Sequence, residues 1–254
     1  MIGIAVPVHN EEARLADCLR ALAAALRNPA LDGEACAIVI VLDACSDGSA
    51  DICRRFACQF APAASHSASS ANGGAQPPAP RASFTALAID ARNVGRARAA
   101  GADHLLALGA RWLAFTDGDS MPAADWLPAQ LALGADAVCG CVTVGDWQPD
   151  DHALRRHYDA RYHHADGHRH VHGANLGVAA AAYRAVGGFL PRATGEDVDL
   201  VARLQAGGYD VAWSARPRVV TTARLEGRAP DGFAALIGRL RDECRPAPQL
   251  GDAG

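Results

Sequence analysis

Apolar residues fall along this chain in two alternating periods. Ile2–Val8 is a short continuous apolar run, which predicts a strand buried on both faces. Glu11–Arg27 follows with Leu15, Leu19, Leu22 and Leu26 on one stripe, the spacing of an amphipathic helix. Asn10 is its expected N-cap, with Glu11 and Glu12 complementing the helix dipole. The alternation repeats: strand Ala37–Leu42, helix Ser49–Phe60, strand Phe84–Ile89, helix Val94–Leu108, strand Trp112–Thr116, helix Ala123–Leu133 and strand Ala135–Val144. In the helix Val94–Leu108, the positions Val94, Ala97, Gly101, Leu105 and Leu108 form the expected inner face. Farther on, Gly173–Val178 reads as a small-residue strand, followed by a helix from Ala182 and a Gly187-Gly188 turn. A last helix runs from Gly195 through Leu200, Val201 and Leu204 to Gly207-Gly208. Strands alternating with helices of this length predict an α/β fold, a doubly wound, mostly parallel sheet with flanking helices in a single domain. Ligands of such sheets sit at the carboxyl ends of the strands, where the polar residues cluster here.

Residues 61–83 interrupt the pattern: Ala, Ser, Pro and Gly dominate, which predicts a flexible surface insertion within the domain spanning 1–222. Residues 145–172 read as a lid loop on the acceptor side, and 223–254 as a short C-terminal tail.

The chain has 254 residues, half of them apolar, and a formal charge of −4. No basic stripe with interleaved aromatics appears, so no nucleic-acid partner is expected. The opening Met-Ile-Gly-Ile has no basic n-region, and apolar stretches such as Leu105–Phe115 are too short to span a bilayer. A cytoplasmic protein without a transmembrane segment is therefore the expectation. The eight cysteines make no Cys-x-x-Cys pair, which favours reduced thiols over a zinc site.

Five segments carry candidate chemistry. Pro7, in Val-Pro-Val-His-Asn-Glu-Glu after the first strand, removes a backbone donor, and Glu11 opens beside the cleft; plain helix capping is the alternative. Asp43 ends the second strand, where a carboxylate can accept from a nucleobase ring N–H or simply make a turn. In Arg92-Asn-Val-Gly-Arg-Ala-Arg, Gly95 permits close backbone approach, and Arg96 near a helix N-terminus suits a diphosphate or a solvated face. Phe115-Thr-Asp-Gly-Asp-Ser puts Asp117 and Asp119 on one side of an extended backbone with Gly118 between them; Asp-x-Asp is common in surface turns, but at a strand end it suits an oxygen donor set for Mg²⁺ or Mn²⁺. The last is Gly195-Glu196-Asp197, acids in a first helical turn that fit dipole partners or a general base. Because Leu200 lies three positions after Asp197, Asp197 is expected to be the more enclosed of the two acids. His163, His164, His168, His170 and His172 form a run that could bind a metal, but reads more readily as a mobile, solvated, pH-sensitive loop.

In this order the five segments resemble the family 2 glycosyltransferases of the GT-A fold, over about residues 2–213 without the insertion. The resemblance implies a transferase that moves a sugar from a nucleoside-diphosphate-sugar to an unidentified hydroxyl acceptor, with inversion and a divalent metal, Mn²⁺ or Mg²⁺. It implies that Pro7, Glu11, Asp43, Gly95, Arg96 and Gly118 line the donor. Asp117 would reach the ribose or the metal, Asp119 would ligate the metal, and Asp197 would be the base. Glu196, and Trp147 in the lid, fall on the acceptor or supporting side. One departure is Ala44, where many relatives have a second acid after the first. The alternatives are a non-catalytic nucleotide-sugar-binding module and a sugar nucleotidyltransferase; the latter wants a Gly-rich, basic loop after the first strand, and Val8-His9-Asn10-Glu11 is not one.

Overall fold

The computed structural model describes residues 1–60, 82–223 and 233–243. Positions 61–81 of the expected insertion lie outside the described residues.

The strands are β1 (Ile2–Val8), β2 (Cys36–Asp43), β3 (Ala82–Ile89), β4 (Trp112–Phe115), β5 (Met121–Pro122), β6 (Ala137–Val144), β7 (Leu176–Ala179) and β8 (Val211–Thr221). The helices are α1 (Leu15–Leu26), α2 (Ser49–Ala57), α3 (Val94–Ala107), α4 (Trp126–Leu131), α5 (His152–Arg161), α6 (Ala180–Ala185), α7 (Glu196–Ala206) and α8 (Phe233–Glu243). Among the described residues the strands form one sheet in the order β3-β2-β1-β4-β7-β6-β8-β5. The first four pair in parallel, β7 runs antiparallel to both β4 and β6, β8 is parallel to β6, and β5 closes the edge antiparallel to β8. The mostly parallel α/β sheet expected from the alternation is what the chain forms.

Burial on both faces explains the continuous apolar runs. Ile2, Ile4, Val6 and Val8 of β1 pack on Leu15, Leu19 and Leu22 of α1 and on Phe56 of α2. On the opposite face Ala5, Val39 and Val41 meet Ala97 and Leu105 of α3 and, farther along the sheet, Leu200 and Leu204 of α7. Each fully buried leucine contributes about 1.5–3 kcal/mol. Gly101 lets α3 lie directly on β1, since a Cβ there would come within 2.9 Å of the Ala5 Cβ.

Several expectations shift. Asn10 does not cap α1, which starts four residues beyond Glu11 at Leu15. Asn10 has φ 54°, and its side chain accepts the Ser46 N–H instead. Leu108, expected on the inner face of α3, is its C-cap and is exposed. Residues Gly173–Asn175 are a 3-10 turn, so β7 begins only at Leu176. The lid of residues 145–172 is not a plain loop. It contains α5, whose Leu154 and Tyr158 pack with Ile237 and Leu240 of α8 in a third apolar cluster. The expected tail therefore holds a docked helix.

β8 breaks register against β6 between Gly140 and Cys141, and Asn175 fills the gap. Its fully buried amide donates to the Cys141 and Pro217 carbonyls (2.7 and 2.9 Å) and accepts the Trp126 indole N–H (2.8 Å). Gly140 must lack a side chain, because a Cβ would fall 2.3 Å from the Asn175 Nδ2. No disulfide forms among the described cysteines. Among the described residues no helix is long and apolar enough to cross a membrane.

Candidate active site

Three strand exits at one end of the sheet carry non-glycine residues in the left-handed region: Asn10 after β1, Ala44 after β2 and Arg92 after β3. Such conformations cost of order 1–3 kcal/mol and persist only where surrounding contacts impose them. Here the contacts are visible. Ala91 and Arg92 donate their N–H groups to Asp43 Oδ1 (2.7 and 2.8 Å), and Asn93 donates to Oδ2 (2.8 Å). Asp43 is buried and clamps the loop that starts α3. A carboxylate offers about four acceptor positions, so three amides leave about one for a ring N–H.

The first two loops are stitched together as well. Glu11 N–H donates to Ser49 Oγ, Glu12 N–H to Asp47 Oδ2, and Gly48 N–H to Glu12 Oε2, at 2.9, 2.9 and 2.7 Å. Glu12 thus serves the start of α2, not that of α1. Glu11 itself is buried. Gly118 fits beneath it: a Cβ there would approach Val8 Cγ2 to 2.9 Å and Glu11 Cγ to 3.3 Å, with the Pro7 carbonyl at 3.5 Å. Pro7 stands two residues past the last β1–β4 pair, Ala5 with Phe115, so its missing N–H falls where that ladder has ended. Pro7, Glu11 and Gly118 are therefore brought to one place. An open groove of about 650 Å³ adjoins it, lined by Asn10, Glu11, Ser46, Gln148, Thr222 and Arg241.

Asp117 and Asp119 follow β4 as expected. Ser120 Oγ lies 3.2 Å from Asp119 Oδ1 and 3.0 Å from Thr221 Oγ1, tying the turn to the end of β8. Cys18, beneath this turn, has its thiol pushed far up, first by burial and then by the charges of Asp119, Asp117 and Glu11. Among the described residues no group of three or more His, Cys, Asp or Glu side chains gathers around one point. The donor chemistry fits a hard divalent cation held by one or two carboxylates, whose remaining positions go to phosphate oxygens and water.

The residue that organises the site was not among those singled out from the sequence. Arg98, on α3, is 4% exposed; its Nη1 donates to Glu196 Oε1 and its Nη2 to Asp117 Oδ1 (2.5 Å). Gly173 passes directly over it, since a Cβ there would lie 2.0 Å from Nη1. Arg96, by contrast, is exposed, and its backbone N–H is taken by the N-cap Asn93 Oδ1 (2.9 Å). Gly95 also has a different reason from the one expected. A Cβ there would sit 2.2 Å from the Leu190 carbonyl oxygen, so its close approach is to residues 190–192 of its own chain.

The two acids of α7 divide in the reverse of the expected sense. Glu196 is buried and paired with Arg98, while Asp197 is partly exposed. At 100° per residue Glu196 lies 40° from Leu200 and Asp197 60° from it, which aligns Glu196 with the inner stripe of Leu200 and Leu204. Asp197 Oδ2 accepts the Gly173 N–H (2.6 Å) and Oδ1 the Val198 N–H (2.8 Å), which fixes the carboxylate and leaves lone pairs for a donor. Trp147 is half-buried, its ring 5.7 Å from that of Tyr158, and anchors the lid segment to α5.

Three of the five histidines of the run, His168, His170 and His172, are packed, while His163 and His164 are exposed. Tyr162 stacks on His170 at 4.0 Å and 10°, its hydroxyl meets His172 Nε2 at 2.8 Å, and the His168 and Trp213 rings meet edge to face. Burial, reinforced by neighbouring imidazoles, holds His168, His170 and His172 below the usual histidine range. His164 is shifted the same way by burial, partly opposed by Asp159.

The family described as Glycosyl transferase family 2 matches residues 3–63, which span β1, α1, β2 and α2. No curated protein matches the chain in sequence. Solved structures do match. A mannosyltransferase, PcManGT from Pyrobaculum calidifontis in complex with GDP-Man and Mn²⁺, shares 19% identity over 89% of this chain and 58% of its own, with a TM-score of 0.60. Residues 1–349 of S. aureus TarS share 13% identity over 94% and 64%, with a TM-score of 0.56. GalNAc-T7 with UDP, GalNAc and Mn²⁺ shares 13% over 89% and 44%, with a TM-score of 0.61. The chain thus spans less than two thirds of each of these relatives, and what the likeness gives is the GT-A glycosyltransferase fold, with the glycosyl transferase family 2 pattern over residues 3–63.

Proposed function

We propose that this chain is an inverting glycosyltransferase that moves a sugar from a nucleoside diphosphate to an acceptor hydroxyl. The observation that carries this reading is the pairing of acids around Arg98: Asp117 of the β4 exit and Glu196 of α7 share one guanidinium, beside Asp119 and Asp197. The donor's nucleotide would lie over the β1 and β2 exits, against Pro7, Glu11, Gly118 and the remaining acceptor position of Asp43. Asp119, with Asp117, would hold Mn²⁺ or Mg²⁺ against the diphosphate. A bound divalent cation supplies positive charge to the departing diphosphate.

Glu196 is committed to Arg98, so the general base is Asp197. Its carboxylate takes the proton of the acceptor hydroxyl as that oxygen bonds to the anomeric carbon. The bond from that carbon to the diphosphate oxygen breaks, and the configuration inverts. The Gly173 and Val198 amides orient the base without neutralising it. The test is Asp197→Asn, which keeps the shape and removes basicity. Nucleoside diphosphate binding, followed by Mn²⁺-dependent thermal stabilisation, should survive, while donor turnover falls roughly 10²–10⁴-fold. Turnover near that of the parent would remove Asp197 from this role.

A further inference from the structure

Arg98 stands between two carboxylates that pull it in opposite directions. Its side chain is 4% exposed, Glu196 is equally buried, and 36% of the Asp117 side chain is exposed. The Phe189 ring lies 5.9 Å from Cζ, and the Gly173 backbone covers the guanidinium so closely that no side chain fits there. A guanidinium in such a slot cannot swing; its planar fork fixes both partners at once. One positive charge against two negative ones leaves the trio with a net charge of −1, and the only open member is Asp117.

We propose that Arg98 is a positioning residue that sets how much of the Asp117 carboxylate is available to a divalent cation, with Glu196 as the counterweight. Shared between two acids, the guanidinium neutralises Asp117 only in part and holds Oδ1, while 36% of the side chain stays exposed. Remove the charge of Glu196, and the whole guanidinium charge falls on Asp117. Remove Arg98 and the Glu196 charge together, and Asp117 regains its full negative charge. This proposal rests on the reading of Asp117 and Asp119 as metal-holding acids, and it makes two predictions of opposite sign.

The experiment titrates the full chain with UDP and with GDP calorimetrically over a series of Mn²⁺ concentrations and reads the Mn²⁺ midpoint. Glu196→Gln should raise that midpoint roughly tenfold, the worth of one charge-assisted hydrogen bond moved onto Asp117. Arg98→Met combined with Glu196→Gln removes both buried charges at once, which spares the fold the large penalty of leaving one of them alone. In that double variant the midpoint should fall below that of the parent, again by roughly tenfold. A merely structural Arg98 would loosen the site in both variants, so weaker Mn²⁺ binding in both overturns the proposal, as do shifts under twofold in both. Absence of Mn²⁺-dependent nucleotide binding in the parent chain would instead overturn the functional reading itself, and this proposal with it.

Discussion

Asp43→Asn separates two roles for one carboxylate. If Asp43 only met a nucleobase, the change would cost affinity and leave the empty protein alone. The structure makes it first a clamp, receiving three backbone N–H groups at 2.7–2.8 Å in a site that is 5% exposed. An asparagine can turn its carbonyl toward Ala91 and Arg92, but its NH₂ then faces the Asn93 N–H, donor against donor. That loses one charge-assisted bond, weakens two others and leaves a buried N–H unpaired. Hydrogen bonds to charged groups are each worth about 1.5–3 kcal/mol net, so the total comes to roughly 2–4 kcal/mol. In a protein of this size each kcal/mol moves Tm by about 2–4 °C, giving an expected drop of roughly 5–15 °C without any ligand. Thermal unfolding of the ligand-free protein, with amide exchange at Ala91–Asn93, measures it. A Tm unchanged within about 1 °C, with exchange at those amides unaltered, would refute the clamp.

Asn175→Ala leaves the Cys141 and Pro217 carbonyls and the Trp126 indole N–H unpaired in the core, and chemical denaturation should show a loss of roughly 3–5 kcal/mol. Gly95→Ala drives a Cβ to 2.2 Å from the Leu190 carbonyl, an overpacking against backbone that should cost about 3 kcal/mol, read as a lowered Tm. The packed imidazoles give a pH dependence of definite sign. His168, His170 and His172 bind protons less readily folded than unfolded, so stability is full above pH 6.5 and falls as the pH drops below it. The slope is at most about 1.4 kcal/mol per pH unit for each imidazole held fully neutral, and smaller for the partly exposed rings; Tm measured from pH 7.5 to 5 checks it, and a flat profile counts against the packing.

How much could be read from the chain follows from which signals are local. Six of the eight described strands appear as apolar runs; β1, β2 and β4 are almost wholly buried, while β3 has no fully buried residue. β8 does not read as one: Val211–Thr221 mixes half-buried, buried and exposed positions, includes Arg216, Pro217 and Arg218, and is broken by a bulge that only the distant Asn175 explains. β5 is two residues long and has no pattern to show. The site divides in the same way. Asp117, Asp119 and Asp197 stand out by their place at element ends. Arg98 read as one of three arginines in a basic stretch, although a signal was present: it sits four residues after Val94 and three before Gly101, on the apolar stripe of its helix. A charge on a buried stripe predicts a buried partner, and Glu196, four residues before Leu200, is the matching case on α7.

Both acidic pairs of this site are split by the same guanidinium. In Asp117-Gly-Asp119 and in Glu196-Asp197, one acid of each pair bonds Arg98, while Asp119 and Asp197 carry other contacts. Carboxylates brought close together without a cation between them repel one another. A buried cation placed between two of them relieves that repulsion, and burial makes its partner choice rigid, because neither Arg98 nor Glu196 can turn to water. The pairing is demanding on its surroundings. It requires a glycine at position 173 and an apolar ring at Phe189 against the guanidinium, and it ties three elements far apart in sequence: α3, the β4 exit and α7. The gain is that adjacent acids, nearly equivalent in sequence, acquire different chemistry. Glu196 becomes part of the frame, while Asp117, held by the same guanidinium, keeps part of its side chain exposed.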